Sequence, residues 1–186
     1  MRVITGSARG VRLLTPNGLN TRPTAERVKE AVFSIVQFEI EGRSVLDLFA
    51  GTGQMGIEAL SRGAKEAVFV DASRDAAGLV RENLKRARLA NQAQVVQSDY
   101  ATYLSTCRRQ FDLIFLDPPY AEDFLEKSLQ KISEIDILTD GGIIICERPV
   151  EKAHPGQFPG LTVGKDYRYG KTLISLYRKS AGKEEL

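Results

Sequence analysis

Ser44-Val-Leu-Asp-Leu-Phe-Ala-Gly-Thr-Gly-Gln-Met-Gly-Ile-Glu-Ala-Leu60 is the stretch on which the fold turns. Val45, Leu46, Leu48 and Phe49 form an apolar run of the length expected for a strand buried on both faces. Gly51, Gly53 and Gly56 follow with G-x-G-x-x-G spacing, and Ile57, Ala59 and Leu60 resume at helical intervals. A strand, a glycine loop and a helix in this order let a ligand approach bare backbone N–H groups at a helix N-terminus. Asp71 ends a second apolar run, Ala67 to Val70. It stands about 20 residues on, where an acidic residue is expected to reach a nucleotide ribose. The two features together predict nucleotide binding.

Downstream, strand-like and helix-like segments alternate. Ser73 is placed to cap a helix with Ala77, Val80, Leu84 and Ala87 on its apolar stripe; Arg81, Glu82, Lys85 and Arg86 form its solvated face. Gln94 to Gln97, Phe111 to Leu116 and Ile143 to Cys146 read as further strands, the last entered through an Asp140-Gly141-Gly142 turn. Such alternation builds a parallel sheet covered on both faces. Leu161 to Tyr169 and Thr172 to Tyr177 are separated only by Gly170-Lys171, so they should pair antiparallel and finish the sheet with a hairpin.

Upstream, Val3-Ile4-Thr5 and Arg12-Leu13-Leu14 flank a glycine-bearing loop and read as a small hairpin. A connector with Pro16, Gly18 and Pro23 leads to a helix that Thr24 can cap, striped by Val28, Ala31, Val32 and Ile35. The expected organisation is a basic hairpin-and-helix appendage at 1–42, a main domain at 43–179 and a fraying tail at 180–186.

A chain of 186 residues, 42% hydrophobic and 27% charged, has the size and balance of about one globular domain with a core. No apolar stretch approaches the roughly 18 residues of a membrane span, and the N-terminus lacks a signal-peptide core. Cys107 and Cys146 form no C-x-x-C pair, so neither a disulfide framework nor a metal site is expected, and a cytoplasmic setting fits. His154, the only histidine, neighbours Pro155 and reads as a loop residue rather than a base. Residues 1–29 carry a net charge of +5 through Arg2, Arg9, Arg12, Arg22, Arg27 and Lys29 against Glu26. A basic arm on a near-neutral body points to a polyanionic partner.

The chemistry concentrates at strand ends, where open α/β sheets bind ligands. Asp71, Asp99 and Asp117 follow the second, third and fourth strands, and Asp47 lies just ahead of the glycines. Asp117-Pro118-Pro119-Tyr120 is the most specific feature. Its prolines fix the backbone and carry no N–H, so the segment offers carbonyl and carboxylate acceptors. That set suits a substrate amino group, and Tyr120 offers a face on which a planar base can stack.

With Asp47-Leu48-Phe49-Ala50-Gly51-Thr52-Gly53 after the first strand, this motif resembles the S-adenosylmethionine-dependent amino-methyltransferases of class I fold. Arg22-Pro23-Thr24, Arg27-Val28-Lys29-Glu30, Phe33, Gly56 to Ala64 and Tyr169-Gly170-Lys171-Thr172 extend the likeness over nearly the whole chain. The fuller pattern resembles the RsmD family, which methylates the N2 amino group of a guanine in bacterial 16S rRNA. The resemblance implies a Rossmann-like, mostly parallel seven-stranded sheet with a C-terminal antiparallel hairpin and a small N-terminal extension. It also implies S-adenosylmethionine held by Asp47, Phe49, Ala50, Gly51, Thr52, Gly53, Asp71, Ala72, Asp99 and Tyr100. In that scheme the glycine loop meets the methionine portion, Asp71 the ribose and Asp99 the adenine amino group.

Asp117, Pro118, Pro119 and Tyr120 would carry catalysis, and Arg2, Arg9, Arg12, Arg22, Thr24 and Arg27 would hold the RNA. The implied partner is 16S rRNA in an assembling small subunit, without metal or membrane, and a monomer is the favoured state. Two departures stand out: Asp71 replaces a common glutamate, and Gln54-Met55 replace a small and an aliphatic residue. Adenine N6 in DNA and a protein glutamine amide remain alternative acceptors. A nicotinamide-dependent oxidoreductase and a non-catalytic RNA-binding module are more distant readings.

Overall fold

The computed structural model describes residues 1–16, 23–120 and 123–179, and of residues 23–25 the backbone alone. The apolar runs become seven strands: β1 (Ser44–Asp47), β2 (Glu66–Asp71), β3 (Ala93–Gln97), β4 (Phe111–Leu116), β5 (Leu138–Pro149), β6 (Leu161–Tyr169) and β7 (Thr172–Lys179). They form one sheet in the order β3-β2-β1-β4-β5-β7-β6. The first five strands run parallel, and β7 lies antiparallel between β5 and β6. This is the expected doubly wound sheet closed by a hairpin. The order reverses at β1, whose neighbours β2 and β4 continue in opposite directions, and a crevice opens there at the strands' C-terminal ends.

Among the described residues five α-helices cover the sheet: α1 (Pro23–Ile35), α2 (Gln54–Ser61), α3 (Arg74–Ala87), α4 (Tyr100–Thr106) and α5 (Phe124–Ile135). Successive strand residues face opposite sides, so Val45, Ala67, Phe69 and Phe115 join α1, α2 and α3 in one cluster. Leu46, Val68, Ile114 and Ile144 join α4 and α5 in the other. Among the described residues no helix is long and apolar enough to cross a membrane.

Three local expectations change. α1 begins at Pro23, so Thr24, expected to cap the helix, lies within its first turn. The fifth strand is longer than its Ile143–Cys146 core, and the Asp140-Gly141-Gly142 sequence lies inside it as a bulge. Phe111 pairs with Leu138 but Leu113 with Ile143, and Gly141 takes φ 72° to absorb the extra residues. The N-terminal hairpin is a looped turn with a single bridge, Arg2 to Arg12. Gly6 and Gly10 there take φ values of 88° and 84°.

The turn is held by α2 and α3 instead of by a ladder. Glu58, fully buried in α2, accepts from the N–H groups of Ile4 at 2.8 Å and Thr5 at 3.0 Å. Its carboxylate also meets Lys29 Nζ at 3.3 Å and Arg62 Nε at 2.9 Å. Ser61 Oγ accepts from Ala8 N and donates to Thr5 O. Gly6 has room for no side chain, because a Cβ there would stand 1.7 Å from Ser61 O. Asn83 of α3 accepts from Leu14 N at 2.7 Å and donates to both Leu14 O and Thr52 O. Val3, Ala8 and Leu13 complete the attachment within the core.

Lys29 therefore leaves the set of surface cations. It is buried, donates to Arg2 O at 2.6 Å, and burial lowers its pKa against the opposing pull of Glu58. Removing one partner of a buried ion pair strands the other and costs about 3–5 kcal/mol. Glu58→Ala should lose stability on that scale in urea unfolding. Limited proteolysis should then release the first residues faster than in the parent chain.

Candidate active site

At the strand-order reversal lies a cleft of roughly 750 Å³. Asp47, Phe49, Ala50, Gly51, Thr52, Asp71, Ala72, Asp99 and Tyr100 line it, as do Asp117, Pro118, Pro119 and Tyr120. Of the residues expected to hold a cofactor, only Gly53 is absent from the lining. Gly53 begins α2 with φ 78°, and a Cβ there would meet Val80 at 3.1 Å and Ile57 at 3.3 Å. It serves the turn and its packing.

The N–H groups of the three motif glycines are already engaged within the protein. Gly51 N donates to Asp71 Oδ2 at 2.8 Å, Gly53 N to Ala50 O at 2.7 Å, and Gly56 N to Asp47 Oδ2 at 3.1 Å. Gly56 has a packing reason of its own, since a Cβ would lie 2.3 Å from the Phe69 ring. Asp47 thus brings a carboxylate to the start of α2, where an anionic ligand group would otherwise sit. It is fully buried; desolvation, opposed by the Gly56 N–H and aided by Asp71, pushes its pKa up to about 7.

Asp71 bridges two elements, accepting from Gly51 N through Oδ2 and from Ser73 N at 2.9 Å through Oδ1. Carboxylate oxygens keep lone pairs beyond these two, so acceptor capacity toward a diol remains. Asp99 caps α4 by accepting from Thr102 N at 2.9 Å, and hydrogen bonding to Thr102 lowers its pKa. Beside it Phe49, Tyr100 and Phe124 form an aromatic wall, with ring centroids 5.4 Å apart for Phe49 and Tyr100 and 5.3 Å for Tyr100 and Phe124. A planar heterocycle with an amino group is suited by such a wall with a carboxylate at its edge.

On the opposite rim, β4 delivers Asp117 to a floor that is open to solvent and yet ringed by protein. Desolvation first, then the charges of Glu147 and Asp47, raise the Asp117 pKa well above its ordinary value. Tyr120 is 46% exposed as a residue, while its hydroxyl donates to Glu147 Oε1 at 3.0 Å. Burial and the neighbouring Glu147 and Asp117 push the Tyr120 phenol up. Burial also raises Glu147, against the Tyr120 hydrogen bond.

Phe124 and Glu147 escaped the sequence reading of the site. Phe124 belongs to a run with Leu125, Ser128, Leu129 and Ile132 whose spacing marks a helix and nothing more. Glu147 follows Ile143 to Cys146 as the other acids follow their strands, so the strand-end rule could have found it. Gln54, Met55 and Met1 also line the cleft, Met1 Sδ lying 3.6 Å from Thr52 Oγ1. Gln54 Oε1 is buried with no partner among the described residues. Nothing in the structure explains that choice of side chain.

Arg2, Arg9, Arg12 and Arg27 are exposed outside the cleft. Arg22 and the side chain of Thr24 lie outside the described residues. His154 is also remote from the cleft, its Nδ1 accepting from Gly156 N at 3.0 Å and its ring resting near Tyr177. Both cysteines are buried free thiols. No grouping of three or more potential metal ligands occurs among the described residues.

Comparison with known proteins gives these features a context. The model of a family described as conserved hypothetical protein 95 matches residues 1–178. A candidate rRNA methyltransferase of Bacillus subtilis, YlbH, is 40% identical over 96% of this chain and 99% of its own. The Escherichia coli (strain K12) protein named ribosomal RNA small subunit methyltransferase D is 30% identical over 97% of this chain and 91% of its own. Among solved structures, a candidate methyltransferase from Escherichia coli, yhhF, superposes with a TM-score of 0.88 at 29% identity, covering 97% of this chain and 98% of that one.

The Asp47 carboxyl yields a pH test. Its folded pKa lies above the roughly 3.9 of an unfolded aspartate, so between about pH 4 and 7 the folded chain binds more protons than the unfolded one. Stability then falls as pH rises through this window, with a slope of up to ~1.4 kcal/mol per pH unit. Asp47→Asn keeps an acceptor for Gly56 N and removes that titration. Its stability, followed by thermal unfolding from pH 4 to 8, should decline less steeply than the parent's; Asp117 and Glu147, which are also raised, sustain the remaining slope.

Proposed function

The chain belongs to the RsmD family, and from that premise we propose that it transfers a methyl group from S-adenosylmethionine to the exocyclic N2 amino group of a guanine in small-subunit 16S rRNA. The observation that carries the reading is the acceptor set at Asp117 to Tyr120, on the rim of a cleft whose far wall combines aromatic rings with Asp71 and Asp99.

The residues fit this cofactor better than a dinucleotide. Four aspartates line the cleft and, among the described residues, no lysine or arginine does. Asp47 already meets Gly56 N in the first turn of α2. A pyrophosphate would face that carboxylate, whereas a phosphate-free adenosyl sulfonium brings a positive charge that favours the ionised forms of Asp47 and Asp117. This argues against the nicotinamide alternative. When bound, S-adenosylmethionine supplies an electrophilic methyl group on its sulfonium.

The protein's part is acceptance and alignment. The guanine N2 lone pair is delocalised into the ring, so the amino group is a weak nucleophile. The Asp117 carboxylate and the Pro118 carbonyl accept its hydrogens, favour a pyramidal nitrogen and offset the positive charge that develops there. Tyr120 supplies a face for the base, and in-line placement contributes the rest of the acceleration. As the N–C bond forms and the S–C bond breaks, the surplus proton on nitrogen leaves toward solvent. The base reaches the cleft from a loop or by extrusion, because N2 lies on the minor-groove edge of a pair. Arg2, Arg9, Arg12 and Arg27, with Arg22, hold the flanking phosphates. The same reading has the enzyme acting in the cytoplasm, as a monomer, on an assembling subunit. Amino acceptors in DNA adenine or glutamine could also meet the Asp117 set; family membership favours guanine.

Labelled methyl from S-adenosylmethionine should enter N2-methylguanosine when undermethylated small-subunit particles are supplied, as read by nucleoside analysis. Asp117→Ala should lower turnover by about 10²–10³ while cofactor binding, measured by calorimetry, holds. Label in another nucleoside would overturn the guanine assignment. Retained RNA binding without transfer would favour the non-catalytic module.

Charge reversal at Arg9 and Arg12 tests the arm separately. Each lost phosphate contact should flatten the slope of log affinity against log salt by ~0.7–0.9. An unchanged slope in filter binding would remove these arginines from the interface.

A further inference from the structure

We propose that Glu147 is a positioning residue of this reaction, its carboxylate holding the Tyr120 hydroxyl so that the exposed ring stands fixed beside Asp117 as the face on which the acceptor base stacks. The inference rests on the amino-methyl transfer reading and adds a residue from a strand outside its motifs.

Sheet register brings the two acids together. Parallel β4 and β5 pair Leu116 with Cys146, so Asp117, just past the end of β4, and Glu147, still within β5, stand next along with side chains toward the same face. Glu147 is held on its other edge by antiparallel pairing with Ile174 of β7. Tyr120, by contrast, follows two prolines beyond the end of β4 and is nearly half exposed. Its hydroxyl is fastened by Glu147 Oε1 at 3.0 Å and approached by the Thr172 side chain. Pro149 pairs with Thr172, so Thr172 enters the same cluster from the β6–β7 turn. Side chains anchored on paired strands locate a ring better than the free rotation of an exposed tyrosine allows.

The charges around Glu147 are one-sided. Asp117 lies beside it, with Asp47 of β1 and Asp71 of β2 beyond, and Tyr120 and Thr172 complete the described groups of the cluster. Arg148, the next residue on β5, points to the other face and pairs with Asp166. Glu147 therefore has a second consequence: its charge makes Asp117 harder to ionise. If the ionised Asp117 accepts from the substrate amino group, the acid limb of the pH–rate profile carries the signature of Glu147.

The test uses the full chain labelled with carbon-13 at tyrosine Cζ, together with kinetics on undermethylated small-subunit particles. The Tyr120 resonance, identified by its loss in Tyr120→Phe, should move in Glu147→Ala. Tyr120→Phe and Glu147→Ala should each lower kcat/KM by about tenfold, with the cofactor Kd within about twofold of the parent. Compared at a pH above the acid limb, where the effect of Glu147 on Asp117 ionisation no longer counts, both act through one hydrogen bond and the double variant should be no worse than either single. Glu147→Gln, which keeps an acceptor, should restore most of kcat/KM at neutral pH and shift the acid limb to lower pH. Multiplicative losses in the double variant, an unmoved Tyr120 resonance, or an unshifted limb in Glu147→Gln would each overturn the inference while leaving the functional reading intact. Parent protein that methylates no particle would overturn both.

Discussion

The hydrogen bond from Gly56 N to Asp47 Oδ2 closes the strand–loop–helix turn on itself, and the character of the cleft follows from it. Asp47 is the last residue of β1 and Gly56 lies in the first turn of α2, so one carboxylate sets how the helix leaves the sheet. The bond spends an unpaired helix N–H on the protein's own acid. Asp71 does the same for Gly51 from the neighbouring strand. A loop built this way keeps the glycines' tight geometry while giving the cleft a negative lining. The familiar spacing therefore codes here for a shape, and the aspartates code for the charge of what enters.

The same two helices tie the N-terminal arm to that loop. Glu58 and Ser61 project from the back of α2 to bind residues 4–8, and Asn83 of α3 joins Leu14 to Thr52 O within the loop itself. Burying Glu58 with Lys29 costs desolvation that one ion pair does not by itself recover. The extra hydrogen bonds from Ile4, Thr5 and Arg62 satisfy the remaining acceptor sites, and what results is a defined position for the arm. On the proposed reading this matters for recognition. The arginines that would grip an RNA backbone are registered to the cofactor loop through side chains that touch neither ligand.

Much of this was legible in the residues. The alternation of apolar runs gave the strands of the parallel sheet, and the two-residue gap at Gly170-Lys171 gave the antiparallel finish, because periodicity and turn chemistry are local properties. The strand-end aspartates pointed to the cleft because the topology leaves strand ends nowhere else to go. What stayed hidden depended on packing across the sequence. Lys29 reads as one more charge beside the exposed Arg27 and Glu30; it shares the buried helix face of Val32, Phe33 and Val36, and Glu58, 29 residues later, supplies the partner for its charge. The bulge at Asp140 to Gly142 depended on the register against β4. Phe124 stayed hidden because helical spacing does not distinguish a side chain under the helix from one over the cleft at its first turn.

Charge is separated over the molecule in a way that bears on the reaction. Acidic side chains gather at the cleft: Asp47, Asp71, Asp99 and Asp117 line it, and Glu147 adjoins it through Tyr120. Exposed arginines stand outside on the arm. A polyanion is attracted by the arm and meets no lysine or arginine in the described lining of the cleft, so its phosphates are kept to the rim while a neutral base can enter. A cationic cofactor meets the opposite preference. The two substrates of the proposed transfer are thus sorted by charge into different parts of one surface. Asp117 lies where the sorted regions meet, next to a tyrosine whose hydroxyl is held and whose ring is free to be covered.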